Sequence, residues 1–316
     1  MALDLARLAA GIALLYFGAE WLVRGASGIA KALGVRPLVI GLTVVAYGTS
    51  MPELVVSTLA ALDGKSDITL GNVVGSNVAN LGFILGLTAI IKPPEVDGAL
   101  IRRELPVMVG AAMLVPLLLW DGVVTRIEGA LLLLGAFGFT VLLVRTAKQL
   151  PETSRLGDQA EAEPEGPEPR SKLWVLAIAG LAALVAGGKV FVDGAVSIAL
   201  SLGMSERLVG LTIVAVGTSL PELAASVVAA LRGQSSLAIG NVVGSNIFNV
   251  LLILGGASVV SPVSGQLDTL KVDLGVLVLL SVAATAMMTR RRLITRLEGG
   301  LLVVAYGTFL FALAFA

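Results

Sequence analysis

Two acids stand where a long apolar sequence should not tolerate them. Glu53 closes the run Gly48-Thr49-Ser50-Met51-Pro52-Glu53, and Glu222 closes Gly217-Thr218-Ser219-Leu220-Pro221-Glu222. A carboxylate at mid-helix depth in a bilayer costs about 2.5–3.5 kcal/mol on insertion scales, so it survives where it faces water, a partner or a cation. No Lys or Arg recurs at a matching buried position in both runs, which leaves a cation as the natural partner. Proline has no N–H and fits best in the first turn of a new helix, with a preceding Thr or Ser as the capping group. The spans are therefore expected to break near Thr49–Ser50 and Thr218–Ser219, freeing backbone carbonyls around Ala46 and Ala215. Carbonyl, hydroxyl and carboxylate oxygens are the ligands hard cations prefer.

Helical spacing brings further oxygens into line. Thr49, Glu53 and Ser57 are four apart and share a face, as do Thr218, Glu222 and Ser226. In the next segment Asn72, Ser76 and Asn80 repeat the spacing, matched by Asn241, Ser245 and Asn249. Gly71 and Gly75, with Gly240 and Gly244, form small-xxx-small faces that let helices approach closely. Any one of these has a plain structural use: Ser and Thr back-bond, Pro kinks, GxxxG packs. Glu20 and its counterpart Lys189 read as end-of-helix charges that snorkel. The whole constellation, present twice around the only repeated deep acids, is what packing does not explain.

The elements that must position these residues come as two copies. Gly41–Asn80 and Gly210–Asn249 match at well over half of their positions without a gap, at a constant offset of 169 residues (53 to 222). The register extends upstream, where Gly18, Gly25 and Gly34 meet Gly187, Gly194 and Gly203. Downstream, Thr125-Arg126-Ile127-Glu128-Gly129 resembles Thr295-Arg296-Leu297-Glu298-Gly299 after a one-residue slip. The chain divides into a first repeat at 1–149, a Pro- and Glu-rich linker at 150–172, and a second repeat at 173–316. The linker is too poor in apolar residues to fold alone and reads as disordered and solvated.

With 56% hydrophobic residues and only 14% charged ones among 316, the composition cannot furnish the polar surface of a soluble domain. Each copy parses into about five apolar helices: 3–23, 37–62, 70–91, 105–120 and 128–145, then 173–192, 208–231, 237–260, 272–289 and 297–316. The fold class is thus an all-α polytopic membrane protein of about ten transmembrane helices. An odd number of spans per copy makes the two five-helix repeats inverted, with broken helices at a midplane site. Lys and Arg segregate accordingly. One side collects Arg24, Lys31, Arg36, Lys92, Arg102, Arg103, Arg232, Arg290, Arg291, Arg292 and Arg296 beside the linker. The other holds Arg7, Lys65, Arg126, Lys189, Arg207 and Lys271. This places the linker in the cytoplasm and both termini outside, in a cell (inner) membrane.

Exclusions follow from what is missing. A formal net charge of zero gives no basic field for nucleic acid, and the absence of Cys and His removes thiolate sites, His-based zinc sites and a Ser–His triad. No enzyme chemistry, cofactor or obligate protein partner is implied; inorganic cations and the lipid bilayer are the expected partners.

At the G-T-S-x-P-E and G-N-x-x-G-S-N-x-x-N runs the chain resembles the cation/Ca²⁺ exchanger superfamily, and its prokaryotic Na⁺/Ca²⁺ exchangers most. That resemblance implies alternating access and exchange of Na⁺ for Ca²⁺. Carried over position by position, it makes Glu53 and Glu222 the central Ca²⁺ ligands. Thr49, Ser50, Thr218, Ser219 and the carbonyls of Ala46 and Ala215 complete Ca²⁺ and Na⁺ sites, with Ser76, Asn80, Ser245 and Asn249 adding oxygens from the next helices. Some relatives carry Asp at the position of Asn80 or Asn249; Asn at both argues against K⁺ co-transport and leaves two acids in the site. Two carboxylates balance one Ca²⁺ and leave three Na⁺ with one excess charge, so exchange at that stoichiometry is electrogenic. The Gly-rich first spans would slide against the site-bearing core. A Ca²⁺/H⁺ antiporter using the same glutamates and, from another class, a cation channel are the competing readings.

Overall fold

The computed structural model describes residues 2–147, 169–204 and 215–315. The first copy contains α1 (Ala2–Leu33), α2 (Pro37–Thr49), α3 (Met51–Leu62), α4 (Ser66–Ile91), a short α5 (Gly98–Arg102), α6 (Glu104–Leu118), a two-residue strand β1 (Val123–Val124) and α7 (Arg126–Thr146). The second copy contains α8 (Arg170–Ser201), a turn of helix α9 (Ala215–Gly217), α10 (Leu220–Leu231), α11 (Ser235–Val260), β2 (Val263–Ser264), α12 (Leu267–Arg291) and α13 (Arg296–Phe315). By length and composition, seven described helices can cross a membrane, and the bent pair α2–α3 makes an eighth; α6 and α10 are shorter apolar helices. The linker falls almost wholly outside the described residues, but its drawn end at 172 is too late. Pro169 is the N-cap and Arg170 already opens α8.

The first helix of each copy is longer than the apolar count suggests, 32 residues in α1 and in α8. Counting apolar residues ends α1 before Arg24, yet the helix runs on because Gly25, Ala26, Ile29 and Ala30 are buried beyond it. At 1.5 Å per residue such a helix is about 48 Å long, more than the hydrocarbon core needs.

α1 and α8 lie against each other and run antiparallel. A Cβ on Gly18 would sit 2.9 Å from the Gly180 carbonyl, and one on Gly187 would sit 3.1 Å from that of Gly11. Gly11 and Gly180 are themselves repeat partners, as are Gly18 and Gly187. The two contacts are therefore images of one another, and equivalent helices pointing opposite ways are what an inverted repeat requires. These glycines are spent on contact between α1 and α8 themselves. The same reciprocity joins Gly86 to Gly299 and Gly255 to Gly129. The loops follow it too, with β1 pairing antiparallel to β2 and an isolated bridge joining Glu95 to Leu293.

Burial grades inward from this frame. α11 is almost entirely enclosed and α4 largely so, while α1, α7, α8 and α13 keep much of their surface toward the surroundings. One apolar core joins parts of α2, α4, α6, α7, α11, α12 and α13; a second seats the α1–α8 pair on α10 and the adjoining ends of α2 and α11. Both α7 and α13 start at the repeated Thr-Arg-x-Glu-Gly run, which the structure explains as helix capping. Thr125 and Glu128 exchange side-chain and backbone hydrogen bonds in a capping box, and Thr295 with Glu298 makes the same bonds.

Candidate cation site

The chain bends by 45° between α2 and α3, with Ser50 at the corner and Pro52 in the first turn of α3. Ser219 and Pro221 occupy the same places before and within α10. The break is where the proline argument puts it, but the hydroxyls are used differently. Neither Ser50 nor Ser219 caps its helix through the side chain. Ser50 Oγ instead reaches across to the other copy, 3.2 Å from Glu222 Oε1 and 3.2 Å from Ser245 Oγ. The carbonyl expectation also needs correction. Ala46 O accepts from Ser50 N at 3.1 Å, so only its second lone pair is left for a cation. In the second copy Ser219 N donates to Val216 O at 3.2 Å, one carbonyl further along than the equivalent of Ala46, which is Ala215.

Glu53 and Glu222 are each 2% exposed, on helices contributed by different copies. Neither Glu53 oxygen has a hydrogen-bond partner, nor does Glu222 Oε2. No Lys or Arg forms an ion pair with either among the described residues. Ser219 Oγ, Asn80 Oδ1 and Asn249 Oδ1 are buried and unpartnered as well. These oxygens come from residues singled out by sequence alone, and carboxylate, hydroxyl and amide oxygens are the types Ca²⁺ takes. Their summed charge of two carboxylates matches one divalent cation. Leaving such groups unsatisfied costs about 1–3 kcal/mol each, which a bound cation would remove.

The neighbours fix these groups in place. Thr49 Oγ1 lies 3.0 Å from Val45 O and 3.2 Å from Asn241 Oδ1, and both are acceptors for its one proton. Ser76 and Ser245 are buried on α4 and α11, and Thr218 is half-buried beside Ser219. Nearby, Tyr47 packs against Phe248 with ring centroids 4.0 Å apart and shares a hydrogen bond of 2.6 Å with Thr140, tying the bend to α11 and α7.

Three features escaped the sequence reading. Asn72 Nδ2 donates to Glu53 O (3.1 Å) and Ser57 Oγ (2.8 Å), while Asn241 Nδ2 donates to Glu222 O (3.3 Å) and Ser226 Oγ (3.0 Å). These amides clamp the backbone of the acid rather than offering oxygen to a cation; their place in both repeats was visible, their role was not. Asn249 Nδ2 donates to Asn77 Oδ1 at 2.9 Å, which leaves Asn249 Oδ1 free. Finally, α4 and α11 widen into π-type turns at Asn80–Ile84 and Asn249–Leu254, starting on the candidate ligands themselves. Such bulges interrupt the ordinary backbone ladder and recur at functional sites. On the packing side, Gly240 and Gly244 press closely on the backbone of Leu38 and Leu42, as their spacing suggests, whereas a Cβ on Gly71 or Gly75 would meet nothing within 4 Å among the described residues.

A helical membrane protein folded from an inverted repeat, with a two-carboxylate, oxygen-lined site at the crossing of the two copies, has the organisation of a secondary transporter. The sequence matches the family described as sodium/calcium exchanger protein over residues 3–145 and 172–315, and the chain belongs to that family. It is 42% identical to CaxA of Alkalimonas amylolytica over 301 residues, covering 94% of each chain. It is 32% identical to the sodium/calcium exchanger MaX1 of Methanosarcina acetivorans, covering 96% of each. Its fold superimposes on the sodium-calcium exchanger NCX_Mj, soaked with zero Na⁺ and Ca²⁺, with a TM-score of 0.85 at 33% identity over 99% of each chain.

Proposed function

We propose that this chain is an antiporter that exchanges Na⁺ for Ca²⁺ by alternating access, with Glu53 and Glu222 as the carboxylates shared by the two ions. The observation that carries the reading is the pair of buried acids with three unpartnered oxygens, set among further orphan hydroxyl and amide oxygens from both copies. In this reading Thr49, Ser50, Thr218, Ser219, Ser76, Asn80, Ser245 and Asn249 supply neutral ligands, with the backbone at Ala46 and Ala215. Neutral oxygens around two acids suit either one Ca²⁺ or several Na⁺, which is the competition exchange needs. The names of MaX1 and NCX_Mj support the choice of ions.

We further place ten spans in a cell membrane, with the linker that precedes α8 cytoplasmic and both termini outside. The one-sided distribution of Arg36, Lys92, Arg102, Arg103, Arg232 and Arg290–Arg292 supports that orientation. The deciding experiment is Ca²⁺ uptake into vesicles containing the purified chain, driven by an outward Na⁺ gradient or by a pH gradient alone. Na⁺-driven uptake is expected. Uptake driven by pH alone would reassign the counter-ion to H⁺, and Ca²⁺ flux indifferent to either gradient would indicate a channel.

A further inference from the structure

Among the described residues the twofold relation between the copies is not exact, and one departure from it carries charges. α1 packs along α10, with Glu20 of α1 paired to Arg232 at the end of α10; Arg232 Nε donates to Glu20 Oε2 at 3.1 Å and Nη2 holds Oε1. Glu20 is thus an ion-pair partner across a helix interface rather than a snorkelling end charge. The image of this contact would be α8 along α3, with Lys189 meeting Asp63, since Lys189 and Asp63 are the repeat counterparts of Glu20 and Arg232. That contact is not made. Among the described residues α8 and α3 touch no more than marginally, Asp63 pairs with its neighbour Lys65 at 3.0 Å, and Lys189 is exposed without an ion pair. Burial records the same asymmetry at equivalent positions: Ala225 and Val228 of α10 are 1% and 7% exposed, whereas Val56 and Leu59 of α3 are 38% and 56% exposed.

The signs add an independent observation. Position 20 is acidic and its counterpart 189 basic; position 232 is basic and its counterpart 63 acidic. Both charges are reversed between the copies, so the pairing remains complementary in each. Glu20 facing an acid, or Lys189 facing a base, would repel. Paired change of this kind is what a shared contact produces.

We propose that Glu20–Arg232 and Asp63–Lys189 are reciprocal latches on the two sides of the transporter, the first closed in the conformation described here and the second closed in the opposite one. Because α1 and α8 lock together through backbone-close glycines, they move as one body, and docking on α10 and docking on α3 exclude each other. The proposal rests on the alternating-access reading above, because inverted repeats reach their second state by exchanging the roles of the copies. A half-exposed pair shifts the balance between conformations by up to about fivefold, enough to bias it without freezing it.

The chain contains no cysteine, so thiol cross-linking needs no background removal. The full chain carrying E20C/R232C, D63C/K189C, or all four substitutions is placed in vesicles and treated with a short reducible bis-thiosulfonate, in Na⁺ without Ca²⁺ and in Ca²⁺ without Na⁺. Bridging is read as protection from a maleimide-polyethylene glycol mass tag. Each pair is expected to bridge and to stop exchange by at least tenfold until reduced, with the quadruple variant holding one bridge per molecule. The double substitution E20K/R232E is expected to restore the ion dependence of bridging at 63 and 189 that E20K alone disturbs. Failure of either pair to bridge in both ion conditions, or two bridges in one molecule, overturns the latch. If the unmodified chain shows no Na⁺-driven Ca²⁺ uptake, the exchange reading fails instead, and the bridging result is still read separately.

Discussion

Glu53→Gln separates a cation ligand from a structural residue, because the two roles give opposite signs. Glu53 has a buried carboxyl group with neither oxygen hydrogen-bonded. An amide of the same shape breaks no hydrogen bond of that carboxyl and needs no charge kept in a buried setting, so the ion-free protein is expected to unfold at the same temperature or higher. With Ca²⁺ present the balance inverts. One carboxylate cannot neutralise a divalent ion, and taking one partner from a buried charge pair costs about 3–5 kcal/mol. At 1.4 kcal/mol per tenfold, binding weakens between about 150- and 4,000-fold. A Ca²⁺ concentration of about 100 Kd, which stabilises the parent by about 2.7 kcal/mol, then stabilises the variant by less than about 0.4 kcal/mol. The assay is thermal unfolding of the purified full chain in detergent with and without Ca²⁺, beside Na⁺-driven uptake in vesicles. A variant that keeps its Ca²⁺-induced shift, or that is destabilised when ion-free by as much as a damaged core would be, refutes the reasoning.

Three other outcomes are expected. Gly25→Ala places a Cβ 2.6 Å from Ala177 N and 2.7 Å from Leu173 O, both backbone atoms, so α1 and α8 must separate; a loss of about 1–3 kcal/mol is expected by thermal unfolding. Gly110→Ala, with nothing within 4 Å, is the control and gains up to about 1 kcal/mol of helix propensity. Asn241→Leu removes the donors to Glu222 O and Ser226 Oγ, at about 1 kcal/mol each, and is expected to lower stability while raising the Ca²⁺ concentration for half-maximal uptake. Asn241→Asp, which keeps the acceptor facing Thr49 but cannot donate, is expected to share the defect. If three Na⁺ leave a vesicle for each Ca²⁺ that enters, an inside-positive potential speeds uptake. One charge moving through 100 mV is worth about 2.3 kcal/mol, and a rate indifferent to an imposed K⁺ diffusion potential would exclude that stoichiometry.

Much was legible in the sequence because the bilayer makes polar residues conspicuous. Glu53 and Glu222 could be singled out as candidate site residues from their apolar surroundings alone, and Pro52 located the bend because a missing N–H is a local fact. The duplication at an offset of 169 residues, and the odd span count within it, implied inverted copies without reference to coordinates. The capping role of Thr125–Glu128 and Thr295–Glu298 was available in principle from the spacing and was recognised only as repetition.

What the sequence did not contain was the relation between the copies in space. Ser50 looks like a cap for α3 by its position, and it binds Glu222 and Ser245 because tertiary packing offers its hydroxyl a buried acceptor on the other copy. Asn72 and Asn241 share the spacing of the ligands, yet their donors meet the carbonyls of the acids, a distinction set by which face of α4 and α11 turns toward α3 and α10. A repeat is symmetric by inheritance, so its sequence treats Glu20–Arg232 and Lys189–Asp63 alike. Only the folded chain shows Glu20 paired with Arg232 while Asp63 turns to its neighbour Lys65.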